Sequence, residues 1–384
     1  MVVPDWIWLI FIFAFGCCIG SFLNVVIYRL PRDKSLIRPG SACPACGQRI
    51  RFYDNIPLIS WLVLGRKCRD CRAPISPRYF VIELLTGVVF VGLFWLYFRT
   101  DLRAGMGSFG AGGWLIYLLH LTLLAAFIAA SAIDLELWVI PISICWLVTA
   151  VGFTASAVAG YVIDTPVIRE FSLLPSASPG AGALAAGAAI GLAISWMLLV
   201  SNLIKRSYES EDSEHPPQEP DRCPQRQLNH RLEACREIVF LLPILICAAG
   251  AFWLTRGNES IRAWWFSFSQ HPVVAGLLGS LWGYFVGCGV VWATRILGTL
   301  AFGKEAMGLG DVHLMGAAGA VVGPVLVVVA FFIAPFFGLA WAGVQMFFKK
   351  TRQIPYGPFL SLGVFTVMIL HDWIFGYWNL IRTG

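Results

Sequence analysis

The sequence predicts an all-α polytopic membrane protein of about 8–10 transmembrane helices with a small cytoplasmic zinc-ribbon-like insertion. Three observations carry that expectation. Of the 384 residues 58% are hydrophobic and only 13% charged, where soluble domains average about half apolar and a quarter charged. Apolar runs close to the ~20 residues needed to cross a bilayer recur along the chain. Two Cys-x-x-Cys pairs lie in a basic stretch between the first two runs. A soluble globular protein is excluded on composition. The net charge of +6 is accounted for by basic loops at a membrane surface, so nucleic acid is not an expected partner, whereas membrane lipid is.

The apolar runs begin near residues 6, 80, 114, 139, 181, 237, 272, 313, 332 and 358. The first, residues 1–28, reads as an anchor, because Met1 to Asp5 carries no basic residue and no small-residue cleavage site follows. Residues 29–79 form the tetracysteine module. Between Arg29 and Arg78 stand eleven Lys or Arg against three acids, Asp33, Asp54 and Asp70, an excess that stays on the cytoplasmic side. Residues 80–203 hold further spans. A polar stretch, 204–236, has too few apolar residues in its first part to build a core and reads as mostly disordered. Residues 237–384 hold the remaining spans, with a turn expected near Pro335 inside the long apolar run 313–348. Threading from an outside N-terminus puts segments 29–79, 134–141, 204–236, 295–310 and 348–357 inside. Gly and Ala dominate the fifth and eighth spans, as where helices pack closely in lipid.

Cys43, Cys46, Cys68 and Cys71 form two knuckles separated by 21 residues, the arrangement of a four-thiolate zinc site. A reducing cytoplasm favours metal over disulfides. A loop of some fifty residues gains folding energy from metal that its small core does not supply. With four cysteine ligands the site is closed, hence structural rather than catalytic. The other cysteines, Cys17, Cys18, Cys145, Cys223, Cys235, Cys247 and Cys288, read as buried small hydrophobes.

Ionisable groups at membrane depth are costly and call for a reason. Asp134 ends the apolar run LLHLTLLAAFIAASAI, and Asp311 follows Gly308-Leu-Gly310 before the eighth span. Both fall at inside ends of the threading. Two carboxylates brought together in a low-dielectric site share a proton, so one can act as base and the other as acid, the chemistry of an aspartyl protease. Gly308 and Gly310 let backbone or substrate approach Asp311. Asp311 alone reads equally well as a helix cap. Asp134, at the C-terminal end of its own helix, is on the wrong side of the dipole for one. Glu136 reads as a solvated boundary residue.

With those residues in view the chain resembles the type IV prepilin peptidases, members of the GxGD aspartyl proteases. The resemblance rests on Gly20-Ser-Phe-Leu-Asn-Val-Val-Ile-Tyr-Arg-Leu-Pro31, on the cysteine pairs with Asp54-Asn-Ile-Pro-Leu-Ile-Ser-Trp61 between them, and on Pro74 to Gly87. It continues at Asp134 with Ile140-Pro141, at Lys304-Glu-Ala-Met-Gly-Leu-Gly-Asp311 and at Ile354-Pro-Tyr-Gly-Pro358, and leaves roughly 160–270 unmatched. It implies that Asp134 and Asp311 are the catalytic pair and that the module binds zinc. It also implies a bacterial inner-membrane enzyme that cuts the basic leader of a prepilin or pseudopilin precursor on the cytoplasmic side. Many relatives also methylate the new N-terminus with S-adenosylmethionine, although no glycine-rich methyl-donor motif is recognisable here.

Two departures stand out. His313 occupies the position of a family lysine, exchanging a fixed charge for an imidazole. The separation of 177 positions between Asp134 and Asp311 exceeds the family norm, which implies two added spans around the polar stretch. An even number keeps both aspartates on one side. Two other readings stay open at this point: a GxGD intramembrane protease with a different substrate, and a non-catalytic membrane scaffold or transporter whose aspartates are caps or proton sites.

Overall fold

The structure is a computed structural model that describes residues 4–100, 102–103, 105–163, 172–204, 230–348 and 355–383. Among these the chain is helical, without strands beyond two isolated bridges in the module. Helix α1 (Asp5–Arg29) leads into the module, which carries the short α2 (Ile59–Val63). Then come α3 (Pro77–Phe98), α4 (Gly113–Leu137), α5 (Ile142–Val162), α6 (Pro179–Val200), α7 (His230–Gly257), α8 (Glu259–Ser269) and α9 (Pro272–Phe302). The last are α10 (Leu309–Val322), α11 (Pro324–Phe348), α12 (Gly357–Ile369) and α13 (His371–Thr383). Eight helices are long and apolar enough to cross a membrane, and the pair α12–α13, bent by 71°, makes a ninth if taken as one span.

Helix α10 is the innermost element, buried along its length from Asp311 to Val322 except at His313. Its small residues make that possible. A Cβ at Gly283 of α9 would collide with the Gly319 carbonyl, and one at Gly319 with the Gly283 carbonyl, so the two backbones cross in direct contact. Ser280 Oγ donates to the Ala320 carbonyl at 2.5 Å beside that crossing. On the other flank Gly152 of α5 faces Ala320. Without a hydrophobic force between helices in lipid, close backbone approach of this kind supplies the packing energy.

The expected turn near Pro335 is corrected. The break falls at Gly323, which takes φ 86°, and Pro324 opens α11 while Pro335 lies within it. A positive φ suits glycine, and proline is at home in the first turn of a helix. Proline inside a membrane helix is tolerated where its neighbours re-satisfy the backbone. With 14 residues, α10 spans about 21 Å at 1.5 Å per residue, short of a ~30 Å hydrocarbon core. The remaining depth is filled by the segment after Ser172: Leu173 and Leu174 are buried, Ala177 N–H donates to the Ala275 carbonyl at 3.0 Å, and Pro175 packs over Gly323. Because α10 and α11 form a hairpin, the chain returns to the end from which α10 set out.

Helices α6 and α7 pair through Gly187 and Gly191, whose missing side chains admit the α7 backbone at Cys247 and Pro243. They pack on the outside of α9, with Leu245, Ile246 and Trp253 of α7 exposed on the outer surface. The added length is therefore a peripheral layer. The polar stretch expected at 204–236 ends in helix, since α7 begins at His230 and Glu233 is buried and paired with Arg236 at 2.7 Å. Residues 205–229 of that stretch lie outside the described residues, as does Cys223. Cys17, Cys145 and Cys288 are buried as expected and Cys247 partly so, whereas Cys18 and Cys235 lie on the outer surface of their helices. On α1 that surface faces lipid, which accepts a thiol as readily as a core does.

Gly283→Val forces a branched side chain into the Gly319 backbone and is expected to cost roughly 1–3 kcal/mol, read as a lowered thermal midpoint in detergent. Gly250→Ala, where the added methyl meets open space, is expected to leave the midpoint unchanged or raise it. Equal behaviour of the two variants would contradict the crossing described above.

Candidate active site

The sharp turn that separates α4 from α5 sets the first carboxylate. Trp138 takes the left-handed conformation at φ 60° and donates its N–H to the Asp134 carbonyl at 3.0 Å, ending the helix. Asp134 is buried, and its Oδ2 accepts the Gly357 N–H at 3.1 Å across 223 positions of chain. A Cβ at Gly357 would stand 2.7 Å from that oxygen, so only glycine allows the approach. Asp134 does not cap its own helix, as expected, but it does cap α12, whose N-terminus carries partial positive charge. A second tie, Ser131 Oγ to Ser361 Oγ at 3.0 Å, holds the same two helices one turn deeper.

Asp311 lies in the first turn of α10. Its own N–H donates to the Gly308 carbonyl at 3.2 Å, and its Oδ2 accepts the Gly308 N–H at 3.3 Å. Gly310 makes the close approach expected of it, since a Cβ there would lie 2.9 Å from the Cβ of Ile140. Gly308 differs: a Cβ there would meet Asp311 Oδ2 at an ordinary 3.6 Å, and its φ of −74° is open to any residue. Ile140, in the α4–α5 turn, thus touches the start of α10 on one side and Gly357 on the other. The turn, the GxGD loop and the start of α12 converge, and Asp134 and Asp311 interact electrostatically across the gap. His313, two residues further along α10, has its ring 6.5 Å from that of Trp146.

A buried ion cluster fixes the loop that carries Asp311. Arg295 of α9 is 1% exposed. Its Nε donates to Glu237 Oε1 and Oε2 of α7 at 3.0 and 3.2 Å, and its Nη1 to Glu305 at 2.6 Å and to the Met307 carbonyl. Trp292 Nε1 donates to Glu237 at 2.8 Å, and Ala306 N–H to Thr299 Oγ1 at 3.3 Å. The guanidinium fork serves three acceptors at once, which a lysine ammonium on a single stem reproduces poorly. Residues 305–307 are held at three points just before Gly308. Arg295 and Glu237 were not singled out from the sequence. A lone cation inside the apolar run of α9 was the available signal, because a charge at that depth demands a partner. Glu136 pairs with Arg78 at the start of α3, so the module, Asp134 and Asp311 share one end of the bundle.

The cysteines form two matching knuckles. Cys43 N–H donates to the Gln48 carbonyl and Gly47 N–H to the Cys43 carbonyl, both at 2.9 Å. In the second, Cys68 N–H donates to the Ala73 carbonyl at 2.8 Å and Arg72 N–H to the Cys68 carbonyl at 3.1 Å. Gly47 and Arg72 both take left-handed conformations, at φ 71° and 59°. All four Sγ atoms lie within 4.8 Å of one another, with Cys43 and Cys71 at 3.8 Å. Sulfurs about 2.3 Å from a tetrahedral zinc stand about 3.8 Å apart, so the four cysteines fit such an ion. Backbone N–H groups of Cys46 and Ala45 hydrogen-bond the Cys43 sulfur and favour its thiolate, the form that binds metal.

The family described as "Bacterial Peptidase A24 N-terminal domain" matches residues 14–97, and the "Type IV leader peptidase family" matches residues 238–343. A "Prepilin leader peptidase/N-methyltransferase" of Klebsiella pneumoniae is 34% identical over 222 residues, covering 52% of this chain and 91% of the relative. The chain belongs to the type IV leader peptidase family. An Aeromonas hydrophila member of the same name is 31% identical over 243 residues, 52% of this chain and 79% of the relative. One from Myxococcus xanthus is 39% identical over 162 residues, 42% of this chain and 43% of the relative. The chain thus spans less than half of the Myxococcus relative, and likewise 46% of an Escherichia coli "Type 4 prepilin-like proteins leader peptide-processing enzyme". No solved structure matches. The four cysteines and Asp311 fall inside the two family matches and Asp134 between them.

Removing one partner of a buried ion pair strands the other. Arg295→Met is therefore expected to cost roughly 3–5 kcal/mol in thermal unfolding, with most of that loss recovered in Arg295→Met with Glu237→Met. Simple addition of the two single effects would contradict the clamp.

Proposed function

We propose that this chain is an aspartyl endopeptidase that removes the basic leader of type IV prepilin-like or pseudopilin precursors, with Asp134 and Asp311 as its catalytic pair. The observation that carries this reading is the convergence of two buried carboxylates, from helices 177 positions apart in sequence, at the module end of the bundle. Each has one oxygen pinned by a backbone amide, Asp134 by Gly357 and Asp311 by Gly308. The other oxygen of each is then the one that faces the attacking water. The ionised carboxylate takes a proton from that water, which attacks the scissile carbonyl. The protonated carboxylate donates to the carbonyl oxygen; the carboxyl that took the water's proton then gives it to the amide nitrogen as the C–N bond breaks, and the tetrahedral intermediate returns the other proton to its carboxylate. Gly308 and Gly310 support the site by keeping the approach to Asp311 free of side chains, Gly310 by contact with Ile140.

The excess of basic residues in the module supports a cytoplasmic location for this end of the bundle in a bacterial inner membrane. A leader that stays in the cytoplasm reaches the site without crossing the bilayer, and its scissile bond lies beside the hydrophobic helix that anchors the precursor. The relatives' names supply the precursor class, prepilin, and a second activity, N-methylation, for which the family resemblance implies S-adenosylmethionine as the methyl donor. Zinc in the Cys43, Cys46, Cys68 and Cys71 site is read as structural, holding the two knuckles together.

The capping bonds themselves favour a second reading, a scaffold in which both aspartates merely end helices. Asparagine separates the two, because Asn accepts a cap hydrogen bond about as well as Asp but neither takes nor gives the catalytic proton. In membranes holding a pilin-like precursor, Asp134→Asn and Asp311→Asn are expected to keep the intact protein's thermal midpoint and to lose roughly a hundred- to ten-thousand-fold in cleavage rate. Near-full cleavage by either variant would remove that residue from the mechanism. Metal analysis is expected to find one zinc per chain, lost in Cys68→Ser together with protease resistance of residues 41–75. A zinc content unchanged by that substitution would overturn the four-cysteine site.

A further inference from the structure

The module lies beside the start of α3, a helix long and apolar enough to cross a membrane, and has an apolar face that the rest of the described chain leaves open. Its depth is set by contacts with α3 and with the residues just before it. The Leu58 N–H donates to Glu83 Oε2 at 2.8 Å, the Trp61 ring lies 4.8 Å from that of Phe80, and the Trp61 indole N–H donates to the Ile75 carbonyl at 3.4 Å. Glu83 is six residues beyond Pro77, about 9 Å along the helix at 1.5 Å per residue, so α2 lies level with the first two turns of a membrane-crossing helix. Trp61 is on the side of α2 that faces α3. Ile59, Leu62 and Val63, spaced i, i+3 and i+4, share another face and are 57%, 60% and 75% exposed. Phe52, in the segment that packs on α2, is 87% exposed.

The charge around that face selects its partner. Between Arg29 and Arg78 there are eleven Lys or Arg and three Asp. Two of the acids are already engaged: Asp54 is held by both Nε and Nη2 of Arg69 at 2.8 and 2.6 Å, and Asp70 lies 3.9 Å from Arg51. Arg66 and Lys67 follow α2 directly, with Arg66 over the Trp61 ring. An apolar face at interfacial depth inside a cationic surround matches a lipid headgroup layer of negative charge. A basic leader peptide carries the wrong sign for it.

We propose that Ile59, Leu62, Val63 and Phe52 insert into an anionic lipid surface, seating the tetracysteine module on the membrane beside the bundle. The seat depends on membrane residence alone and stands whether or not the aspartates are catalytic.

The test uses the full, metal-loaded chain in nanodiscs, with the photoreactive p-benzoylphenylalanine in place of the exposed Leu62. Discs of phosphatidylcholine are compared with discs that also contain phosphatidylglycerol, and a pilin-like precursor peptide is present in both. Lipid adducts several-fold more abundant in the anionic discs are the expected result. Capture of the precursor in place of lipid would make the face a substrate dock and overturn the proposal, as would the absence of lipid adducts. Amide exchange of residues 52–63 in the unsubstituted protein gives an independent reading. Exchange several-fold slower in anionic than in neutral discs is expected, with the difference lost when Ile59→Ser, Leu62→Ser and Val63→Ser are combined. Equal exchange in both kinds of disc would contradict the seat.

Discussion

The hydrogen bond from the Gly357 amide to Asp134 Oδ2 ties the start of α12 to the end of α4, and the architecture of the module end is arranged around it. A carboxylate at that depth persists only where the chain supplies it with donors. Gly357 gives one donor and the N-terminus of α12 a favourable dipole. The bond in turn demands a glycine at 357, a turn short enough for Ile140 to touch both Gly310 and Gly357, and a GxGD loop held against that turn. Each demand is met by a different part of the sequence, and together they bring Asp311 and Asp134 to the same end of the bundle, with Ile140 between the segments that carry them.

Polar partnerships at this end of the bundle form a graded series. Arg78 with Glu136 is half-exposed and links the start of α3 to the end of α4. Glu83 accepts from Leu58 and sets the depth of the module. Arg295 with Glu237 is almost wholly buried, about two turns of α9 before the loop that it fixes. Desolvating two charges is expensive, so a buried pair is weak evidence for stability taken alone. Its value here is geometric, since the guanidinium reaches Glu237, Glu305 and the Met307 carbonyl together and leaves residues 305–307 little freedom. Glu237 comes from α7, so the peripheral α6–α7 layer contributes to the loop of Asp311 through Arg295.

Much of this was legible in the sequence because the signals were local. Apolar runs of membrane length, the two Cys-x-x-Cys pairs and the isolated aspartates can each be read within a short window. The break between α10 and α11 was misplaced because Pro335 is a louder local signal than Gly323, yet glycine's freedom at φ 86° decides the turn. The start of α7 was misplaced because His230 to Arg236 is polar by composition, whereas Glu233 and Glu237 are buried by partners far off in sequence. The role of Asp134 as a cap was missed for the same reason, since the helix that it caps begins 223 positions later. Long-range pairing leaves no mark in any one window.

The proposed mechanism requires Asp134 and Asp311 to face one another at one end of the bundle. Disulfide formation between Asp134→Cys and Asp311→Cys, in a chain also carrying Cys145→Ser and Cys288→Ser, measures that directly in native membranes. Mild oxidation is expected to join the two positions in a single disulfide-linked peptide pair identified by mass spectrometry. Labelling of the two cysteines from opposite faces of the membrane by an impermeant maleimide, with no disulfide formed, would contradict it.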